Sequence, residues 1–475
     1  MRIQVAVSRL SLILALLLPF KLEAQFTPRE YADRREALLA RLPDAVAVVF
    51  GAREPAQDYV EFFQNPGMQY LTGIQEPDAA LVMVKTAGRT TSTMFVLPRD
   101  PAAETWTGKR LGRDGASRTT GLPARDRAQL TSVLDSLARG PLPFFVIAET
   151  SGGSDDGGLT PDEQYVASVS QRHPQLRVSS ANGVLDQLRG KKSASELALI
   201  KRAAEITVAA EKEAMAAVRA DKNEYEIEAL IEYVFRRNGS ERPSFSTIVG
   251  SGPNSTTLHY NVDDRQIHRG DVVVMDIGAS YRGYAADVTR TVPANGTFSP
   301  EQREIYQIVR DAQAAAERQA KIGVPAQLMT DSANAVMTRG LARLGLIESA
   351  DATYDASRGR QEPQLQLYYM HGLGHGIGLE VHDPDQFYFT GAIGEGSAFT
   401  IEPGIYVREN LLDIIPDTPR NRAMIAKIGP AVDRYKNIGI RIEDDYVATD
   451  KGVEWISRAP REISEIEALM RPPAP

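Results

Sequence analysis

Two apolar spacings alternate along this chain, and the change between them divides it. From about residue 25 to 187, short apolar runs (Val46–Phe50, Ala80–Val84, Met94–Leu97, Phe144–Ile147) have the length and β-branched content of buried strands. Helical patterns over 29–42 and 126–138 interleave with them, which predicts an α/β unit. From Ser193 the period lengthens. Leu197, Ile200, Ala204 and Val208 follow a capping box of Ser193 and Glu196 and predict a helix. A second helix runs through Tyr225–Phe235 and stops at Asn238-Gly239. Strand runs follow; then Ser299-Pro300-Glu301-Gln302 opens a third helix reaching about Ile322, a fourth covers about 325–345, and strands return. Two helices then strands, twice over, predicts a duplicated α-β unit spanning 188–475, hinged on the first at Gly190-Lys191-Lys192. The expected fold class is therefore mixed α/β (α+β), in two domains.

One stretch follows neither period. His371-Gly-Leu-Gly-His375-Gly-Ile-Gly-Leu-Glu-Val-His382 holds three of the six histidines and glycine at 372, 374, 376 and 378. A helix would lose about 1 kcal/mol per glycine, so an extended course is expected. Alternation then puts His371, Leu373, His375 and Ile377 on one face, and the bare glycine face admits another backbone or a ligand.

Composition narrows the function. The 475 residues are 43% hydrophobic with a net charge of −8, enough for large cores and contrary to a nucleic-acid-binding protein. No cysteine is present, which excludes thiol catalysis, cysteine-ligated metals and disulfides. Arg2 and Arg9 precede the apolar run Leu10–Leu18, and Leu22-Glu23-Ala24 follows. That layout predicts a secretory signal peptide over 1–24, too short to span a bilayer. A secreted or periplasmic protein is expected, with no stable membrane insertion after cleavage.

The chemistry lies in acids placed where acids are costly. Asp276 ends the apolar run Val272–Met275, and Asp287 lies on the run that returns after Gly278–Gly283. Glu402 lies within Phe399–Tyr406, and Glu443 within Ile438–Asp445. Taken singly, the two aspartates also read as surface acids at hairpin ends, and each glutamate as a salt-bridged core acid, with Arg441 an evident partner for one of them. Taken together with His375, the four carboxylates would repel one another and stay protonated unless cations held them. A pair of divalent ions removes that conflict. Oxygen-rich sets with one imidazole suit Mn²⁺ first, with Co²⁺ or Zn²⁺ able to substitute.

The wording around these residues resembles the pita-bread metallopeptidases. Asp-Ile-Gly, Ala-Asp-Val-Thr-Arg-Thr, His-Gly-Leu-Gly-His-Gly-Ile-Gly, Ile-Glu-Pro-Gly-Ile-Tyr and Gly-Ile-Arg-Ile-Glu-Asp occur in order between 259 and 446. Tyr70-Leu-Thr-Gly73, Glu76-Pro-Asp-Ala79, Leu97-Pro-Arg-Asp100 and Glu104-x-Trp106-x-Gly-x-Arg110-Leu-Gly112 are similar to the N-terminal domain of aminopeptidase P and its proline-dipeptidase relatives. The resemblance implies an N-terminal α/β domain over 25–187, shaping the substrate entrance and oligomer contacts, and a catalytic domain over 188–475. It implies that Asp287 and Glu443 bridge two ions, Asp276 holds one, and His375 and Glu402 hold the other. Glu402 would also move the reaction's proton, while His259, His371, His382, Tyr406 and Arg441 would bind substrate, with the histidines and Arg441 assisting catalysis. Implied too are peptide substrates with proline in second place and a homo-oligomer, dimer or tetramer. Proline dipeptidase is the alternative reading, and a non-catalytic binding protein of the same fold a more distant one.

Overall fold

The computed structural model describes residues 26–148 and 158–471; the expected signal segment 1–24 lies outside them. In the first domain, β1 (Ala45–Phe50), β2 (Ala80–Thr86), β3 (Arg89–Val96), β4 (Ala124–Asp126), β5 (Phe144–Ile147) and β6 (Val178–Ser180) form one sheet of order β4-β3-β2-β1-β5-β6. The β1–β2 and β2–β3 pairs are antiparallel, and the outer pairings parallel. β1 is buried along its whole length. Val46, Val48 and Phe50 enter one hydrophobic cluster and Ala47 and Val49 another. A strand covered on both faces needs an unbroken apolar run, and that is why β1 has no polar alternation.

The helix Asn182–Arg189 crosses the expected boundary at 187/188, and the chain turns at 190–192 into the helix Ala194–Ala217, whose capping box of Ser193 and Glu196 is formed. Glu224–Arg237 follows, capped at Asn238. Next come β7 (Arg242–Pro243), β8 (Ile248–Ser251), β9 (Val272–Ile277), β10 (Ala279–Tyr281), β11 (Tyr284–Ala285) and β12 (Val288–Pro293), in two sheets ordered β12-β9-β8 and β11-β10-β7. The second round opens with helices Pro300–Glu317 and Gln327–Leu344. The first of these stops short of the expected Ile322. It ends at Glu317 with its cap at Arg318, and the chain beyond is held by Gly323, whose φ is 80° and whose N–H bonds to Ile393 O, leaving Ile322 42% exposed. β13 (Thr353–Asp355) and β14 (Gln361–Pro363) form a hairpin. β15 (Ala398–Ile401), β16 (Gly404–Val407), β17 (Ile438–Arg441), β18 (Asp444–Thr449) and β19 (Gly452–Trp455) complete the fold as sheets β15-β18-β19 and β16-β17. The predicted repetition of helices and strands is present, and one continuous core joins both halves.

The two domains share apolar surface: Leu38, Met68 and Leu71 of the first meet Ile200, Ile377 and Val447 of the second. Buried Arg34 crosses that seam, 3.3 Å from Glu196, with its guanidinium over the Phe26 and Tyr70 rings. Trp106 faces solvent, 75% exposed, whereas Arg110 pairs with Glu54 at 2.6 Å. No helix among the described residues is long and apolar enough to cross a membrane.

Candidate metal centre

The ends of strands from both halves of the second domain deliver acids to one cavity of about 470 Å³. Asp276 comes from β9, and Asp287 immediately precedes β12. Glu402 follows β15, and Glu443 lies between β17 and β18. Extended backbone sends every second side chain to the same face, so Asp287 and Thr289 point one way, as do Arg441 and Glu443. The β9–β12 register sets Thr289 opposite Asp276.

His375 closes the group. Its Nε2 lies 3.4 Å from Asp287, 3.5 Å from Glu402 and 3.9 Å from Glu443. One atom each of Asp287, His375 and Glu443 falls within 4.8 Å of the others. Asp276 lines the same cavity, and Arg441 donates to its Oδ2. All five residues predicted as ligands therefore converge. The evident partner for Arg441 proved to be Asp276 rather than a glutamate, because the pleat that puts Arg441 beside Glu443 also aims its guanidinium across at β9.

The glycine-rich stretch runs antiparallel beside β15, with hydrogen bonds Ile377 N→Ala398 O, Thr400 N→His375 O and Glu402 N→Leu373 O of 2.8–2.9 Å. Its glycines admit close backbone: a Cβ on Gly374 would sit 2.1 Å from Thr400 O, and one on Gly376 2.3 Å from Asp383 O. The single expected face is not kept. His371 and His375 line the cavity, while Leu373 and Ile377 sink into two different hydrophobic clusters. The stretch forms only an isolated bridge at Gly376, so strict alternation lapses.

Burial and crowding set the protonation. Burial, reinforced by Glu443, pushes the Asp287 and Glu402 carboxyls well above the usual range, and burial with Asp276 raises Glu443 to about 8. Asp276 Oδ1, Asp287 Oδ1 and Glu443 Oε1 are buried with no hydrogen-bond partner. Leaving such oxygens unsatisfied costs about 1–3 kcal/mol each, so this oxygen-rich set with one imidazole nitrogen fits divalent cations. Burial, aided by Arg441, lowers the His371 imidazole to about 4; burial and neighbouring His382 do the same for His375. Both rings are neutral near pH 7, as a metal-ligating imidazole must be.

The other predicted residues are also here. His259, His371, His382 and Arg441 line the cavity. Arg441 Nη1 donates to Tyr406 Oη at 2.8 Å, and Tyr406 Oη lies 2.9 Å from His371 Nε2. Since His371 Nδ1 faces the Gly372 carbonyl at 2.8 Å, Nδ1 carries the proton and Tyr406 donates to Nε2.

Supporting residues escaped the sequence reading. Thr289 Oγ1 donates to Glu443 Oε2 at 2.7 Å, and Thr400 Oγ1 accepts from His375 N at 3.1 Å. Asp445, a fifth buried carboxyl, accepts from Asp287 N. Thr289 and Thr400 each lie two residues from a predicted ligand on an extended run, a spacing that could have found them. Arg189 and Lys192, at the domain turn, both pair with Asp383 beside His382. Nothing local pointed to that clamp.

Comparison with known proteins agrees with this geometry. The metallopeptidase family M24 model matches residues 198–450, and the aminopeptidase P N-terminal domain model matches residues 31–142. The chain is 32% identical over 461 residues to a Xaa-Pro aminopeptidase of Haemophilus influenzae, covering 94% of this chain and 98% of that one. It is 30% identical over 480 residues to the Xaa-Pro dipeptidase of Homo sapiens, covering 93% of each. A solved structure, proline aminopeptidase P II from Yersinia pestis, superposes with a TM-score of 0.78 at 31% identity, covering 94% of this chain and 99% of that one. With acids, imidazole and fold in agreement, the chain belongs to metallopeptidase family M24, with an aminopeptidase P N-terminal domain ahead of its catalytic domain.

Proposed function

We propose that this chain is an exported Xaa-Pro aminopeptidase that removes the first residue from peptides with proline in second place. The observation that carries the reading is the convergence of Asp276, Asp287, Glu402 and Glu443 on His375 with buried oxygens left unpaired. The substrate class is supported by the names of the similar proteins.

Asp287 and Glu443 would bridge two divalent ions, Asp276 would hold one, and His375 and Glu402 the other. Bound there, the ions would supply a Lewis acid and lower the pKa of water towards neutrality. Glu402, 3.5 Å from His375 Nε2 on the cavity wall, would take the proton from the attacking water and deliver it to the leaving proline nitrogen. Arg441 holds Asp276 and, through Tyr406, fixes the His371 ring. His259 and His382 are the more exposed imidazoles of the cavity, placed to donate to substrate carbonyls while charge develops. Proline lacks the N–H of other residues, so the pocket recognises shape around the nitrogen rather than a donor.

The test is turnover of Xaa-Pro peptides of two to five residues with added Mn²⁺, Co²⁺ or Zn²⁺. Faster cleavage of tripeptides than of dipeptides, with Mn²⁺ the best activator, supports the reading. Strict preference for dipeptides would favour a proline dipeptidase, the name borne by the human relative. Export over signal residues 1–24 is tested by the N-terminal sequence of protein recovered outside the cytoplasm. A homo-oligomer, dimer or tetramer, is part of the same reading and is decided by sedimentation.

A further inference from the structure

Beside the reaction cavity lies a second one of about 510 Å³, and His371 lines both. Arg408, Ile414, Ile415 and Pro416 form part of its wall, all from segment 408–437. That segment is firmly seated. Its helix Pro419–Tyr435 buries Met424, Ile428 and Val432 in the main core, and Asn421 Nδ2 donates to the Asp355 and Pro416 carbonyls.

Two polar groups on this cavity lack partners. Arg408 Nη2 donates to Leu367 O at 3.1 Å, but its Nε is buried with no acceptor. Among the described residues no carboxylate pairs with its guanidinium; Glu362, which lines the same cavity, is taken up by Arg360 at 3.6 Å. The Tyr369 hydroxyl is buried and unpartnered too, and its ring stands edge-on to His371 at 4.7 Å. A half-buried cation without an anion is costly, and a guanidinium presents the planar donor fork that matches a carboxylate.

We propose that this second cavity is a substrate subsite for a carboxylate of the peptide, received by Arg408 with the Tyr369 hydroxyl as a further donor, and that segment 408–437 is its wall. The proposal rests on the peptidase reading, which places the scissile bond beside His371. Three carboxylates could enter: an acidic side chain on the first residue, one downstream of proline, or the peptide's own C-terminus.

Three peptide pairs separate these sources: Glu-Pro-Ala-amide against Gln-Pro-Ala-amide, Ala-Pro-Glu-amide against Ala-Pro-Gln-amide, and Ala-Pro-Ala against its amide. With the Mn²⁺-loaded enzyme, kcat/KM is expected to favour the acid of at least one pair by about tenfold, chiefly through KM. The preference should vanish in Arg408→Gln and return in part in Arg408→Lys. Equal rates within every pair, or a preference unchanged in Arg408→Gln, would overturn the proposal. Should Arg408→Gln not fold, Tyr369→Phe replaces it, with a reduced acid preference expected and an unchanged one counting against the subsite. If no peptide is turned over, the peptidase reading fails on its own account. Calorimetric binding of the same pairs to wild type and Arg408→Gln then decides the subsite by the same ratio.

Discussion

Glu443 and Asp444 are neighbours, both buried, and the fold treats them in opposite ways. Asp444 Oδ1 accepts from Arg290, Trp455 and Ser457 at 2.7–2.8 Å, and its Oδ2 from Gln313 and Arg461 at 2.8–2.9 Å. Two arginines and three neutral donors satisfy both oxygens. The Glu443 carboxylate, one residue earlier, receives a single neutral hydrogen bond, from Thr289 to Oε2, and its Oε1 has none. Around it stand Asp276, Asp287, Glu402 and His375, and the guanidinium beside it, Arg441, donates its hydrogen bonds to Asp276, Tyr406 and Thr289 rather than to Glu443. The same fold that neutralises one buried acid completely leaves the adjacent one short of charge. The difference teaches that the second cluster is built for cations that come from outside the chain.

The contrast can be broken, and the largest expected effect is on chemistry. Glu402→Gln should lower kcat by about 10²–10⁴ while thermal melting shows the fold intact; near wild-type turnover would remove Glu402 from proton transfer. Next comes Asp444→Ala, which strands Arg290 and Arg461 against each other's field. A loss of about 3–5 kcal/mol in denaturant unfolding is expected, and a melting curve like the wild type's would make the Asp444 network dispensable.

The metal cluster should respond with the opposite sign. Glu443 titrates at about 8 when folded, raised by burial and Asp276 from an ordinary 4.5. A carboxyl raised by folding contributes stability below its unfolded pKa and loses it as pH climbs through the folded value. Metal-free protein should therefore become less stable between about pH 4.5 and pH 8, and added Mn²⁺ should reverse the loss. In chelator at pH 8, Glu443→Gln should raise stability by on the order of 1–3 kcal/mol, where Asp444→Ala lowers it. A Glu443→Gln protein that melts below wild type in chelator would mean that the cluster is not strained by its own charge. The smallest effect is expected from Thr289→Val, which removes the one hydrogen bond to the Glu443 carboxylate. Metal affinity by titration calorimetry should fall about tenfold with little change in the metal-free melting temperature.

Much of this was legible in advance because the relevant costs are local. An ionisable residue inside an apolar strand run is expensive wherever the strand goes, so Asp276, Asp287, Glu402 and Glu443 stood out. Capping boxes at Ser193 and Ser299 marked helix starts because the donors they satisfy lie within one turn. Helix ends were less secure. Ile322 extended the apolar pattern, yet Gly323 pairs with Ile393, a contact made across 70 residues.

By itself, then, the sequence determined the succession of elements, the acids that needed an explanation and the histidines near them, since each follows from interactions a few residues long. Only the tertiary structure decided which buried acid is neutralised from within. Glu443 and Asp444 are indistinguishable as buried acids along the chain, but the pleat turns them to opposite sides, and Arg290 arrives at Asp444 from 154 positions away. The clamp of Arg189 and Lys192 on Asp383, and the unpaired Arg408 beside His371, are likewise matters of which surfaces meet. Charge compensation in a protein interior acts through space, and distance along the polypeptide carries almost no information about it.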